Sequence, residues 1–349
     1  MDREEGVRVA PAETHDNPRI IPPMKFKTLP FAAAAGLGVY AGLPFAQAAT
    51  ISQSANLGAG NQWNQATYWG GNTVQAGNDY QTGTGFGASN YAFTVNGRTF
   101  DYTGEVRDAQ DAGVNNTFGG DRLVLSAGTR LLSKAQSITG VTSTVNLLTQ
   151  GGYIASAANS SGNRSFLAGS ITIASGTDTA LLLNAPGTFA WTVNSALSGA
   201  VDTTLYVTVG GSGNEVKNGT LNLNSNFDSF AGTLYLSTVA NSKVLPGNPT
   251  SALFSIANSA PLAALNLATG SANFSFNLNN ALSFRAVTVN GTVLNPGTYD
   301  FAALDTLAPG KFVNNSGTLT VIPEPSAVLL GGLAMLGGWR RRRTTRSGG

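Results

Sequence analysis

The stretch Gly219 to Leu236, read as GTLNLNSNFDSFAGTLYL, carries most of the architectural information in this chain. It holds two copies of one frame, Gly219-Thr220-Leu221 and Gly232-Thr233-Leu234, with Leu221 and Leu234 thirteen residues apart. Each copy alternates apolar and polar residues, the period of a strand with one buried face. Between them lie Asn224-Ser225-Asn226-Phe227 and Phe230-Ala231-Gly232. Asn and Gly accept left-handed backbone that other residues resist. The spacing predicts a coil-like repeat in which strand, turn and next strand stack in parallel, with Asn at the bends bonding to the neighbouring coil's backbone.

Runs of the same kind recur on either side: Arg122–Ser126 (RLVLS), Ser170–Ala174 (SITIA), Leu181–Leu183, Phe189–Val193 (FAWTV), Thr204–Val209 (TLYVTV) and Ala286–Val289. Gly, Asn, Ser or Asp bounds each, as expected of short strands. No body segment shows a helical period; Ser259–Thr269 comes nearest, and Pro261 limits it to a short helical turn. The expected class is all-β, a single β-solenoid. An antiparallel β-sandwich is the alternative, because Asn96-Gly97 and Asn290-Gly291 are hairpin dipeptides.

At 349 residues and 42% apolar content the chain can build a substantial core. Only 11% of residues are charged, against roughly 25% in an average soluble domain, and that deficit disfavours helices. Between Thr50 and Val321 twelve acids face ten bases, so the body lacks the basic footprint of a nucleic-acid binder. There is no Cys, and the only His is His15. A mature chain starting beyond it has no thiol nucleophile, disulfide, Cys/His zinc site or imidazole base. No cofactor and no metal site is expected.

Both ends read as addresses. Residues 1–23 are charged and Pro-rich, the pattern of a disordered extension or a mis-assigned start. From Met24 come Lys25 and Lys27, an apolar run Leu29–Phe45, and Ala46-Gln47-Ala48, with small residues where a signal peptidase reads. This is the pattern of a secretory signal over 24–48, and the Gly and Pro residues inside the run argue against a buried core helix. The expected ectodomain is 49–321. Over 322–349 follow Pro323-Glu324-Pro325, an apolar run Ser326–Trp339, and Arg340, Arg341, Arg342 and Arg343. As a helix that run reaches about 21 Å, short of the ~30 Å hydrocarbon core, and it suits a transient membrane helix with an arginine stop. A permanent tail anchor is the competing reading.

This three-part tail resembles the PEP-CTERM sorting signal of bacterial exosortase substrates. The resemblance implies signal peptidase and export machinery as partners, temporary residence in the inner membrane, processing near Pro323, Glu324 and Pro325 by an exosortase-type membrane enzyme, and a final place at the cell surface or outside. Gly219 to Leu236 in turn resembles the autotransporter-associated β-strand repeat, which implies a right-handed parallel β-helix. Gln62-Trp63-Asn64, Tyr68-Trp69, Ala76–Tyr80 and Phe118–Asp121 resemble the opening module of such proteins, and Asn290–Val321 resembles their closing segment.

Two groups in the body invite chemistry. Arg98, Asp101, Glu105, Arg107, Asp108 and Asp111 form the densest charge cluster. On one solenoid face they suit a polysaccharide lyase; the simpler reading is surface pairing. Asp79 and Asp121 read as turn residues. Trp63, Tyr68, Trp69 and Tyr80 either stack on sugar rings or cap the first coil. The expected function is that of an exported, non-enzymatic structural or adhesive protein of the cell surface or matrix, with extracellular polysaccharide as a possible partner. A β-helix polysaccharide lyase or a carbohydrate-binding protein is the alternative.

Overall fold

The computed structural model describes residues 48–323 except 56–61, 87–91, 109–113, 135–136, 158–163, 185–186, 211–216, 239–240, 243–250, 271–272 and 314–315. The signal segment and residues 1–23 lie outside the described residues. Two long sheets of thirteen and eleven strands face each other across one apolar core. The chain alternates between them, and neighbouring strands within each sheet are mostly parallel. The result is a parallel β-solenoid of about 7 turns.

Stacked coils place like residues on like. In the eleven-stranded sheet Val106, Leu131, Ile154, Leu181, Val207, Leu236, Leu267 and Val289 follow one another in register, all buried. In the thirteen-stranded sheet Trp191, Leu221, Phe254, Phe276 and Phe312 form an opposing ladder. A chain with few charges can fold this way because each coil's apolar face is covered by the coils above and below and by the facing sheet.

The two Gly-Thr-Leu frames do not stack on each other. Leu221 lies between Trp191 and Phe254 in one sheet, whereas Leu234 lies between Leu205 and Leu265 in the other. Thirteen residues therefore cross the core, and a full coil is longer; Asn222 donates to Thr192, 30 residues earlier. The frames look alike because both half-coils enter the core from a similar bend.

At those bends Asn acts as expected. Asn258 Nδ2 donates to the carbonyls of Asn224 and Ser225 at 3.2 and 3.0 Å, and Asn280 Nδ2 to those of Ile256 and Ala257 at 3.3 and 3.4 Å. Each amide thus satisfies carbonyls of the preceding coil that the sheets leave free. Replacing Asn280 with Ala is expected to cost about 1 kcal/mol, read as a lower denaturant midpoint with unchanged slope.

The hairpin dipeptides do form turns, with φ of 47° and 74° at Asn96 and Gly97 and 48° and 83° at Asn290 and Gly291. Their hairpins decorate a parallel solenoid rather than build a sandwich. Ser259–Thr269 is not helical: Ala260–Leu267 is a strand, with Leu265 and Leu267 in the core. Pro261 is tolerated because the register is irregular between Ala260 and Ala264, where a missing N–H does not break the ladder.

The one α-helix among the described residues, Phe301–Leu307, has no counterpart in the sequence reading. Asp300 caps it by accepting from the Ala303 N–H at 2.9 Å, and Leu304 is buried in the core. Two turns are too few for an apolar period to show.

Candidate sorting segment and surface clusters

The charge cluster is drawn largely into the fold. Glu105 lies in the strand Gly104–Arg107, beside Arg130 of the next coil. Arg130 donates to Glu105 through Nε at 2.7 Å and also through Nη2, while the Arg107 Nε donates to the other carboxylate oxygen. Arg130 also lies over the Tyr102 ring at 3.6 Å, and both members of the Glu105–Arg130 pair are buried. Asp108 is fully buried: it accepts from the hydroxyls of Ser133 and Ser143 and from the Lys134 N–H. Arg98 reaches Asp178 at 3.6 Å, Asp101 is exposed on the hairpin strand, and Asp111 lies outside the described residues. Glu105 and Asp108 are thus buried against partners of the fold, while Arg98 and Asp101 lie on the hairpin strand. Among the described residues no three Asp, Glu, His or Cys side chains could hold a metal ion.

Asp79 proves to be a strand residue paired with Arg122 of the next coil, while Asp121 accepts from the Gly77 N–H in a bend. A lone acid beside Gly and Asn reads as a turn from sequence; its partner is 43 residues away.

Trp63, Tyr68, Trp69 and Tyr80 are all buried, at 0 to 1% exposure, so they offer no platform for sugar rings. Trp63 and Tyr80 each meet Phe118 edge to face, Trp69 meets Tyr80 in the same way, and Tyr68 lies tilted against Trp69. The Trp63 N–H donates to the Arg107 carbonyl and Gln53 Nε2 to the Glu105 carbonyl. Gly104–Arg107 ends the eleven-stranded sheet, so the aromatic plug and Gln53 cover an edge otherwise open to pairing.

Sequence reading missed the clamp above Arg130. The hairpin Ala92–Val95/Arg98–Asp101 pairs with Asn241–Ser242 in a small third sheet. Its Phe93, Val95, Phe100 and Tyr102 pack with Leu132, Tyr153, Ala155, Ala180, Leu182 and Tyr206 of the eleven-stranded sheet in a second apolar cluster. In register Tyr153, Ala180 and Tyr206 succeed one another, and Phe100 contacts both tyrosine rings across the small Ala180. The available signal was the apolar character of both strand faces around Leu132 and Leu182.

Burial pushes the Tyr68 phenol up to about 12, and it raises Tyr153, Tyr206 and Tyr235 as well. The folded state therefore holds these protons more tightly than the unfolded chain, whose phenols titrate near 10. Their contribution to stability is whole below pH 10 and is lost as pH rises through the folded values. Phenolate absorbance and unfolding are expected to rise together above pH 10, and independent titration of all tyrosines near 10 in a folded chain would contradict this.

The C-terminal exit is tightly built. Thr318–Val321 lies between Ala281–Phe284, parallel, and Gly297–Tyr299, antiparallel. Val321 is 4% exposed, the Ile322 N–H donates to the Phe284 carbonyl at 2.9 Å, and Pro323 is exposed. At the other end Ala48 is half-buried immediately before the first strand, Ala49–Ser52. Ala46, Glu324, Pro325 and Arg340 to Arg343 lie outside the described residues. So does the apolar run 326–339; among the described residues no helix is long and apolar enough to cross a membrane.

Residues 321–343 match the PEP-CTERM protein-sorting motif. The motif implies an exported protein processed by an exosortase after passage through the export machinery, with a cell-surface or extracellular destination. No curated protein and no solved structure matches the chain. The solenoid is compatible with the autotransporter-associated repeat, although that resemblance rests on the sequence of Gly219 to Leu236 alone.

Proposed function

We propose that the chain is a structural or adhesive element of the bacterial surface or extracellular matrix, with no catalytic activity. The observation that carries this reading is the sorting motif at 321–343 joined directly to the end of a parallel β-solenoid. The solenoid supplies a rigid body, and the tail supplies the route outward. Pro323, Glu324 and Pro325 would be the segment the enzyme recognises, Leu329–Leu336 a transient membrane residence, and Arg340 to Arg343 its cytoplasmic stop. Occupation of Glu105 by Arg130 and Arg107, and of Asp108 by two hydroxyls and an amide, favours this over the lyase. Extracellular polysaccharide is the proposed partner.

The test uses protein recovered from the native host's medium. It is expected to co-sediment with the host's extracellular polysaccharide and to leave its chain length unchanged. Release of unsaturated or new reducing ends, abolished by Asp101→Asn, would establish the lyase instead.

A further inference from the structure

We propose that the C-terminal end of the solenoid is a lipid-facing surface, which rests end-on against the headgroups of the inner membrane's outer leaflet for as long as the tail is attached. The proposal rests on the reading of the tail as a transient membrane segment, and it adds the face of the body that the lipid covers.

Gly297–Tyr299 is the last strand of the eleven-stranded sheet and Phe312–Val313 the last of the thirteen-stranded sheet, and the helix Phe301–Leu307 touches both. Leu304 turns into the core, so the helix closes the last coil and leaves Ala302, Ala303 and Leu307 exposed. Beside it the short strand Thr292–Val293 pairs with Thr288 and Val289, whose other side is taken by Ala260–Leu267. Val293 is 72% exposed. The chain leaves from the same end: Phe284, on the strand that carries Thr288, accepts the Ile322 N–H.

The tether is short. Ile322 is the last residue held by the ladder and the apolar run starts at Ser326, so at most about 14 Å of chain joins them. As a helix the run reaches about 21 Å of the ~30 Å hydrocarbon core. With Arg340 to Arg343 at the cytoplasmic surface, the tether must make up the remaining ~9 Å. That places Ile322 within about 5 Å of the hydrocarbon boundary, inside the headgroup layer.

A strongly acidic end would resist this position, because the bilayer surface is negative. Between Asn290 and Pro323 the charged residues are Asp300, Asp305 and Lys311. Both acids accept from the end's own backbone, Asp300 from the Ala303 N–H at 2.9 Å and Asp305 from the Gly310 N–H at 2.7 Å. One lysine makes no basic patch, so the tether rather than charge holds the end down, and Val293 and Leu307 meet the headgroups with apolar side chains.

The sequence has no Cys, so single-cysteine variants of the chain with its tail intact can each carry one environment-sensitive fluorophore. The protein is reconstituted in phosphatidylethanolamine–phosphatidylglycerol vesicles that contain a headgroup-attached quencher. The labelled sites are Val293→Cys, Leu333→Cys in the tail, and Ile138→Cys, 74% exposed and six strands before the end of its sheet, about 29 Å away. Blue-shifted, quenched emission is expected at 293 and 333 and water-like emission at 138. Quenching at 333 without quenching at 293 overturns the surface and leaves membrane residence intact, whereas no quenching at 333 overturns the residence itself. Equal quenching at 293 and 138 would mean that the body lies along the bilayer, and would overturn the end-on placement. A blue shift at 293 that needs no vesicles and grows with protein concentration would assign the face to a second copy. With a long Gly/Ser insert between Ile322 and Pro323, quenching at 293 is expected to be lost while that at 333 remains; persistence would overturn the tether as the cause.

Discussion

Arg130→Ala is expected to destabilise the fold by about 3–5 kcal/mol, read as a fall in denaturant midpoint. The guanidinium is the main partner of a carboxylate that is only 4% exposed, and it also covers the Tyr102 ring. Its removal leaves Glu105 with Arg107 alone and opens the contact between hairpin and sheet. The loss arises from stranding a buried charge, so removing both partners should be milder. Arg130→Met combined with Glu105→Gln is expected to recover most of the stability, because neutral side chains of similar length avoid the desolvation. Arg130→Lys should fall between, since an ammonium cannot form the fork or lie flat on the ring. A change below about 1 kcal/mol for Arg130→Ala would mean that the pair behaves as a solvent-exposed one.

Gly169→Val is expected to cost about 4 kcal/mol or more and to lower the yield of folded protein. Gly169 sits inside the strand Arg164–Ile173 with φ of +97°, and a Cβ there would lie 2.1 Å from the Val145 carbonyl oxygen of the coil before. At this point one strand of the ladder becomes two. Arg164–Leu167 pairs with Ala190–Val193, and Ser170–Ile173 pairs with Ala196–Gly199. The bend lets the next coil turn its corner, so the clash falls on backbone that cannot step aside. Gly291→Ala is the control, because its φ is +83° with nothing within 4 Å of the added carbon. Only the left-handed strain remains there, about 1–2 kcal/mol. Equal effects at the two sites would show that the contact with Val145 is not what limits Gly169.

Local pattern revealed the strands, because alternation and Asn/Gly punctuation are properties of a few consecutive residues. Arg122–Ser126, Thr204–Val209 and Thr233–Ser237 all lie in strands of the solenoid. What stacks on what is a property of residues mostly 22 to 36 apart, and there the thirteen-residue frame misled. It marks opposite walls of one coil, with Leu221 in one sheet and Leu234 in the other. The hairpin clamp was hidden for the same reason, since Phe100 finds its partners at Tyr153 and Tyr206. The aromatic cluster around Trp69 was legible as an end cap or a sugar platform, and only burial separates the two. The tail was legible because its signal is linear: a Pro-Glu-Pro segment, an apolar run and arginines in fixed order.

The central claim joins a folded solenoid to a sorting tail, and the measurement that tests it most directly is the intact mass of the protein in the native host's medium and membranes. The account predicts a released species that begins at Ala49 and has lost Arg340 to Arg343. A single membrane-bound species that retains Arg346 would contradict it, because the tail would then be a permanent anchor rather than a signal removed on the way out.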